Sequence, residues 1–176
     1  MTIQRRLTGF PRRCKAPLRG PRPPMTLRYA IWSFLSGTLG ILAIFEITSL
    51  VGQPLLIGSF GASAVLLFGA TESPLAQPRN LVGGHLVSAT VAVIVVALFG
   101  STPLTIAFGV GLAIFAMNLT HTTHPPGGAT ALIGVQGAVG PGFILVPVLA
   151  GALILLVTAL FTNNVVYHRR YPRHWL

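Results

Sequence analysis

Residues 81–99 read LVGGHLVSATVAVIVVALF, an apolar run without Asp, Glu, Lys or Arg that is long enough to cross most of a bilayer. The stretch free of these four residue types extends from Asn80 to His168. Over the 176 residues the hydrophobic fraction is 52% and the charged fraction is 8%, whereas soluble domains carry roughly 25% charged residues. The sequence therefore predicts an all-α integral membrane protein.

Five further apolar segments accompany this run. The six predicted helices are Tyr29–Leu50, Pro54–Ala70, Leu81–Phe99, Leu104–Leu119, Pro126–Val139 and Phe143–Phe161. A full crossing needs roughly 20 apolar residues, so the short, glycine-rich second and fifth segments are candidates for half-membrane or re-entrant helices. Six crossings are preferred over the alternative of four crossings with two re-entrant segments.

Basic residues lie near the ends of the chain and give it a net charge of +10. Eight lie in the first 28 residues, and Arg169, Arg170 and Arg173 lie near the other end. Arg79 is the only basic residue between these groups. Because cytoplasmic loops collect Lys and Arg, both termini and Arg79 are expected on the cytoplasmic side, in a bacterial inner membrane. The expected partner is the lipid bilayer and not a nucleic acid, since base-reading or stacking groups do not accompany the charge.

This distribution divides the chain into three regions. Residues 1–26 form a basic, proline-rich tail that is predicted to be disordered, residues 27–166 form the transmembrane domain, and residues 167–176 form a basic cytoplasmic tail. The N-terminal tail also has the composition of a transit peptide. Met25 is an alternative start, because it leads directly into the first helix.

Two short segments of the sequence echo each other. GASAVLL at residues 61–67 corresponds to GATALIG at residues 128–134. The six helices divide into two sets of three. Because three crossings end on the opposite side of the membrane, the second set is inserted upside down relative to the first. The sequence therefore predicts two inverted three-helix repeats, as in many secondary transporters. A homodimer is expected, because the chain is small for a carrier.

The loop HTTHPPGG at residues 121–128 joins the fourth and fifth helices and carries the first candidate site. A helix start offers free amides and a positive dipole end, which together bind anions. The first repeat matches it with GSFGAS at residues 58–63, and the two starts are expected to meet near the midplane. The candidate substrate-binding residues are Ser59, Phe60, Gly61, Ala62, Ser63, Thr123, His124, Gly127, Gly128, Ala129 and Thr130. The alternative is that the small residues serve only close helix packing.

Three titratable residues are candidates for proton coupling. His85, in the third helix, is either a proton relay or ligand partner, or a neutral histidine bonded to a backbone carbonyl. His124 is a candidate ligand donor or gate. Glu46, near the end of the first helix, lies either in the pathway or at the membrane interface.

Other chemistry is not expected. His121 and His124 have an H-x-x-H spacing, but they lack nearby cysteines or carboxylates, so the sequence does not predict a metal site. An orienting carboxylate for Ser63 and His124 is not evident, so an enzyme is not expected. No cofactor is expected either.

The loop TESPLAQPRN at residues 71–80 carries two charges of opposite sign. Glu72 and Arg79 are expected to pair across the loop. The alternative is that Arg79 attracts an anion to the entrance of the pathway.

Three motifs make the chain resemble a known family. SFGASAVLLFG (59–69), SPLAQPRN (73–80) and THPPGGATAL (123–132) resemble the HPP family of integral membrane proteins, which is named for the motif His124-Pro125-Pro126. The family more often has Ala at the position of Gly127. Plant plastid and cyanobacterial-like members are implicated in nitrite transport. The resemblance therefore implies a transporter for nitrite or a similar small monovalent anion, with a passive anion channel or a structural or regulatory membrane protein as alternatives.

Overall fold

The computed structural model describes residues 26–50, 57–166 and 169–176. These residues form six α-helices and no strand: α1 (Leu27–Ser49), α2 (Gly58–Ala64), α3 (Pro78–Phe99), α4 (Pro103–Leu119), α5 (Pro125–Gln136) and α6 (Ala150–Val165). The predicted all-helical class is confirmed. The predicted disordered tail lies outside the described residues, except for Thr26.

The helices differ in their ability to span a bilayer. By length and apolar composition, α1, α3 and the segment Ile144–Val165, which is kinked at Val146, are sufficient to cross a membrane. The helix α5 has 12 residues, which at 1.5 Å per residue gives about 18 Å, well short of the roughly 30 Å hydrocarbon core. The helix α2 is also short, although π-helical turns at Val65–Gly69 extend it. The predicted shortness of the second and fifth segments is thus confirmed.

Local sequence explains where the helices begin and end. Proline occupies the first position of α3, α4 and α5, where its missing N–H costs no hydrogen bond. Thr102 caps α4 through a reciprocal pair of hydrogen bonds with Thr105. The helix α3 ends at Phe99 and is followed by Gly100, whose φ of 69° is a conformation that glycine adopts without strain.

The helix α3 lies at the centre and packs against α4, α5 and α6, while α1 packs on α6 and α2 on α5. Glycines lie where neighbouring helices approach most closely. A Cβ atom at Gly151 would lie 2.2 Å from the Phe60 ring, and one at Gly134 would lie 2.6 Å from the Ala92 Cβ. Close backbone approach of this kind stabilises helix pairs in membranes, where the hydrophobic effect does not drive association.

Helix ends collect at two faces of the molecule. On one face, Arg169 donates hydrogen bonds to Tyr29 O at the start of α1 and to Phe68 O near the end of the α2 extension. On the other, Ser101 Oγ, after α3, donates to Gln136 O at the end of α5. The start of α1 and the C-terminal segment therefore share one face, as the charge distribution predicts. Which side of the membrane this face occupies stays a prediction.

Residues 169–173 of the C-terminal segment pack against this face, whereas residues 174–176 are exposed. Arg169 is 7% exposed, and its guanidinium also donates to Asn163 Oδ1 at 3.0 Å and Ser33 Oγ at 2.8 Å. Burial lowers the pKa of Arg169, and the Coulombic effect of Tyr29 opposes that shift. The guanidinium also lies over the Tyr29 ring, 3.9 Å from its centroid. Tyr171 donates to Ala76 O at 2.9 Å, and burial raises the pKa of its phenol.

The charged residues of the 71–80 loop do not pair with each other. Glu72 forms an ion pair with Arg173 from the C-terminal segment. The guanidinium of Arg79 donates instead to Thr120 O at 3.1 Å. The expected Glu72–Arg79 pair is therefore wrong, because the packed C-terminal segment brings a second arginine to Glu72, which the sequence pattern does not reveal.

Candidate functional site

Five polar side chains meet inside the apolar helical body. His85, His124, Ser59, Ser63 and Thr130 each have 0% exposed surface. The first turns of α2 supply the two serines, α3 supplies the histidine at 85, and α5 supplies the threonine together with its N-cap residue at 124. We call these five residues the buried polar cluster. Buried ionisable groups within a membrane are costly and usually functional.

His85 connects the two short helices. Its Nε2 lies 2.8 Å from Ser63 Oγ on α2, and its Nδ1 lies 2.8 Å from Thr130 Oγ1 on α5. The Phe60 ring packs on the imidazole in a T-shaped arrangement, with ring centroids 5.5 Å apart. The alternative that His85 is bonded to a backbone carbonyl is wrong, because both of its nitrogens face hydroxyl groups.

His124 is the histidine that binds a backbone carbonyl. Its Nδ1 donates to Leu75 O at 2.8 Å, and its Nε2 lies 2.9 Å from Ser63 Oγ. Because a carbonyl oxygen only accepts hydrogen bonds, Nδ1 carries a hydrogen. The rings of His124 and His85 are 4.9 Å apart between centroids. Ser63 therefore lies between two imidazole nitrogens.

Thr130 continues the chain of hydrogen bonds to α2. Its hydroxyl donates to Ser59 Oγ at 2.9 Å, and it also lies 3.4 Å from Pro126 O. The cluster thus forms one unbroken chain from Leu75 O, in the loop before α3, to Ser59 in the first turn of α2. Each side chain is fixed by partners on another element, which preorganises the cluster.

The sequence predicts that the starts of α2 and α5 meet near the midplane. In the structure these two helix starts do not meet end to end. Ser59, at the start of α2, contacts Thr130 in the second turn of α5, whereas Ser63, near the end of α2, contacts His124 at the start of α5. The short helices therefore overlap side by side in opposite directions. The start of α5 also offers few free amides, because two prolines lack N–H groups and Gly127 N donates to His124 O at 2.8 Å.

The glycines of the two motifs have different surroundings. A Cβ at Gly127 would lie 2.8 Å from Ser88 Oγ and 2.9 Å from Gly84 O, so this glycine serves close packing. Added Cβ atoms at Gly61 and Gly128 would meet nothing within 4 Å. Close helix packing therefore explains the glycine at Gly127, but it does not explain those at Gly61 and Gly128.

The remaining candidate residues lie outside the buried polar cluster. Ala62 is exposed and Ala129 is half-buried. Thr123 donates to Asn118 Oδ1 at 2.9 Å. Glu46 lies on the exposed side of α1, and its role in coupling stays a prediction, as does the entrance role of Arg79. Among the described residues, no three His, Cys, Asp or Glu side chains come together as metal ligands do.

Sequence reasoning missed the groups that position His124. A Cβ at Gly84 would lie 2.5 Å from His124 Cβ and 2.7 Å from Thr122 O, so glycine lets the loop before α5 approach α3. Asn80 Nδ2 donates to Thr123 O at 2.8 Å and ties the same loop to the start of α3. The Gly83-Gly84 pair inside an apolar helix is the sequence signal that indicates such an approach.

This cluster lies in a region that a family comparison covers fully. The sequence model of the HPP transmembrane region matches residues 22–172. The chain belongs to the HPP family. This confirms the family that the three motifs indicate, and with it an integral membrane protein.

Two relatives of this HPP protein are transmembrane proteins of Dictyostelium discoideum. One is 50% identical over 156 residues, covering 82% of this chain and 50% of the relative. The other is 48% identical over 167 residues, covering 88% of this chain and 59% of the relative. The chain therefore spans between half and three-fifths of their length. They do not support the expected bacterial inner membrane, which stays a prediction, and no solved structure matches the chain.

Proposed function

We propose that this HPP protein is a membrane transporter for a small monovalent anion, and that it couples transport to a proton at the buried polar cluster. Nitrite is the first candidate through the family resemblance. The observation that supports this proposal best is the pair of fully buried histidines, His85 and His124, in contact with each other and with three buried hydroxyl groups. A purely structural membrane protein has no need of two adjacent ionisable groups in its interior.

The composition of the helices supports a monovalent substrate. From Asn80 to His168 the sequence contains no Lys or Arg, so a bound anion has only histidine to supply a counter-charge. One protonated imidazole neutralises one negative charge. A divalent anion would retain an uncompensated charge within the membrane, which costs several kcal/mol.

Energetics favour a coupled proton. A monovalent anion that enters a negative-inside compartment moves uphill by about 2.3 kcal/mol per 100 mV. An anion that moves together with one proton carries no net charge and avoids this cost. Histidine suits this role, because its ordinary titration range lies near neutral pH.

The pattern of helix contacts supports the proposed inverted repeat. In two such repeats, α1 is equivalent to α4, α2 to α5, and α3 to α6. The repeat then requires that α1 pack on α6 as α4 packs on α3, and both contacts are present. The echoed segments contribute equivalent hydroxyls, Ser63 and Thr130, to the same histidine. In transporters of this plan, substrate sites lie between the repeats.

Counterflow in proteoliposomes tests this function directly. Liposomes containing the purified protein are loaded with unlabelled nitrite, and entry of labelled nitrite is followed with nitrate, formate or bicarbonate as competitors. We expect transient accumulation of label that a matching small monovalent anion inhibits. A passive channel equilibrates label without this overshoot. A protein that shows neither uptake nor thermal stabilisation by any of the four anions contradicts the proposal.

Orientation and assembly are part of the same proposal. Both termini and Arg79 are placed on the cytoplasmic side, and the protein is proposed to act as a homodimer. In a variant with Cys14 replaced by Ser, a single cysteine at Ser101 should react with an impermeant reagent from outside the cell. Labelling from the inside alone would reverse the topology, and a monomeric mass in detergent would contradict the dimer.

A further inference from the structure

The partners at the two ends of the hydrogen-bond chain define one arrangement of its hydrogens. Leu75 O only accepts, so His124 Nδ1 carries a hydrogen. Thr130 donates its single hydroxyl hydrogen to Ser59 Oγ, and it therefore accepts from His85. In this arrangement His85 Nδ1 also carries a hydrogen.

This arrangement leaves the chain one proton short. A neutral imidazole carries hydrogen on only one nitrogen, so the Nε2 atoms of His85 and His124 are both acceptors when both rings are neutral. Both face Ser63 Oγ, at 2.8 and 2.9 Å. A hydroxyl has one hydrogen and donates to one of them, which leaves the other nitrogen buried without a donor. One added proton completes every hydrogen bond.

We propose that His85, Ser63 and His124 form a single proton-binding unit, which holds one proton and passes it between the two rings through the serine hydroxyl. When the proton is on His85, its Nε2–H donates to Ser63 Oγ, and the Ser63 O–H donates to His124 Nε2. Transfer breaks the His85 N–H bond and forms a serine O–H bond, while the original serine O–H bond breaks and a His124 N–H bond forms. The positive charge moves from one ring to the other, and Ser63 is regenerated.

Neighbouring groups limit the unit to one proton. Two charged rings 4.9 Å apart repel each other, and two Nε2–H donors would leave the Ser63 hydrogen without an acceptor. The sequences of α2, α4, α5 and α6, which pack around α3, contain no titratable side chain. In the adjoining loop, Glu72 is exposed and paired with Arg173, and Arg79 at the start of α3 is directed to Thr120 O. No carboxylate among the described residues lies in the cluster to compensate a second charge.

Loss of the proton has a defined structural consequence at Thr130. If the Thr130 hydroxyl turns from Ser59 towards His85 Nδ1, His85 carries its hydrogen on Nε2 and donates to Ser63, and Ser63 donates to His124. Every bond from Thr130 to Leu75 O is then satisfied with both rings neutral. Ser59 loses its donor in this state. Proton release on the histidines is therefore linked to the hydrogen bonding of Ser59 on α2.

This inference deepens the proposed function and rests on it only for the role of the proton in transport. The proton-binding unit itself is tested without a transport assay. The protein with ¹⁵N-labelled histidine is placed in lipid nanodiscs, and its imidazole nitrogens are followed by NMR as pH falls. His121, His168 and His174 are replaced so that only the pair contributes. We expect both Nε2 signals to shift together in one step that totals one proton per protein, while His124 Nδ1 remains protonated throughout. Two independent steps of one full proton each would overturn the inference, and so would the absence of any step.

Ser63→Ala removes the bridge, and Ser88→Ala is the matched control. Ser88 is also fully buried, but its hydroxyl contacts Met117 Sδ at 3.6 Å and lies outside the cluster. We expect Ser63→Ala to confine the proton to one ring, so that only one Nε2 signal shifts, whereas Ser88→Ala titrates as wild type. Joint shifts in Ser63→Ala would overturn the role of the serine. If Ser63→Ala does not fold, the wild-type proton count decides alone. A single shared proton in a protein without anion uptake would refute the proposed transport and leave this inference standing.

Discussion

Ser63 and Thr130 occupy corresponding positions in the two echoed segments, and they bind opposite nitrogens of the same imidazole ring, that of His85, each at 2.8 Å. One side chain on α3 therefore joins α2 to α5. Any shift of one short helix past the other breaks at least one of these buried hydrogen bonds. This linkage makes the cluster sensitive to relative motion of the two halves of the chain.

Gly84→Ala should disrupt the placement of His124. The added Cβ would lie 2.7 Å from Thr122 O, a backbone atom that moves only with its loop. Overpacking of this kind costs about 1–3 kcal/mol, so we expect a lower melting temperature in detergent and loss of proton-driven anion uptake. Gly111→Ala is the control, because a Cβ there meets nothing within 4 Å. Wild-type stability and uptake in Gly84→Ala would contradict the close approach.

Gly128→Leu separates folding from transport. The open space around this position predicts that the variant folds and melts as wild type. If the anion approaches the backbone at Gly128, the branched side chain blocks it, and uptake should be lost. Gly111→Leu, at another open position, should retain both properties. Full uptake by a well-expressed Gly128→Leu variant would remove this glycine from the proposed site.

Arg169→Gln should weaken the contact between the C-terminal segment and α1. The guanidinium donates to four oxygens, two of which are the backbone carbonyls of Phe68 and Tyr29. Hydrogen bonds to charged groups contribute about 1.5–3 kcal/mol each, and glutamine replaces only part of them. We expect a loss of about 3 kcal/mol in the free energy of unfolding. Arg170→Gln, at an exposed neighbour, should change it by less than about 0.5 kcal/mol. Equal melting temperatures for the two variants would contradict this role.

Arg79→Gln tests whether this half-buried arginine attracts anions. Its side chain makes one hydrogen bond, to Thr120 O, so the change in stability should stay within about 0.5 kcal/mol. Anion uptake at low ionic strength should fall several-fold, and the difference from wild type should shrink as salt screens the charge. An Arg79→Gln variant with uptake equal to that of Arg170→Gln at every salt concentration would exclude the entrance role.

The sequence was sufficient to locate the helices along the chain. It did not predict which side of each helix faces its neighbours. Apolar runs that end at proline or glycine place the start of α4 within one residue of its observed position, Pro103. These helices are apolar on most sides, since they face lipid as well as each other, so no stripe indicates which side faces inward. His85, Ser63 and Thr130 were therefore identified as candidates, but their contacts were not predicted. The acceptor of His124 is the backbone carbonyl of Leu75, and a backbone group leaves no trace in residue identity.

The central claim is that the buried histidines couple an anion to a proton, and His124→Gln tests it most directly. Proteoliposomes that contain wild-type protein, His124→Gln or the control Gly111→Ala are loaded with nitrite for exchange, or are given only an inward proton gradient for net uptake. We expect His124→Gln to retain nitrite exchange and to lose accumulation driven by the proton gradient, while the control retains both. Accumulation by His124→Gln at the wild-type rate under a proton gradient alone would contradict the account.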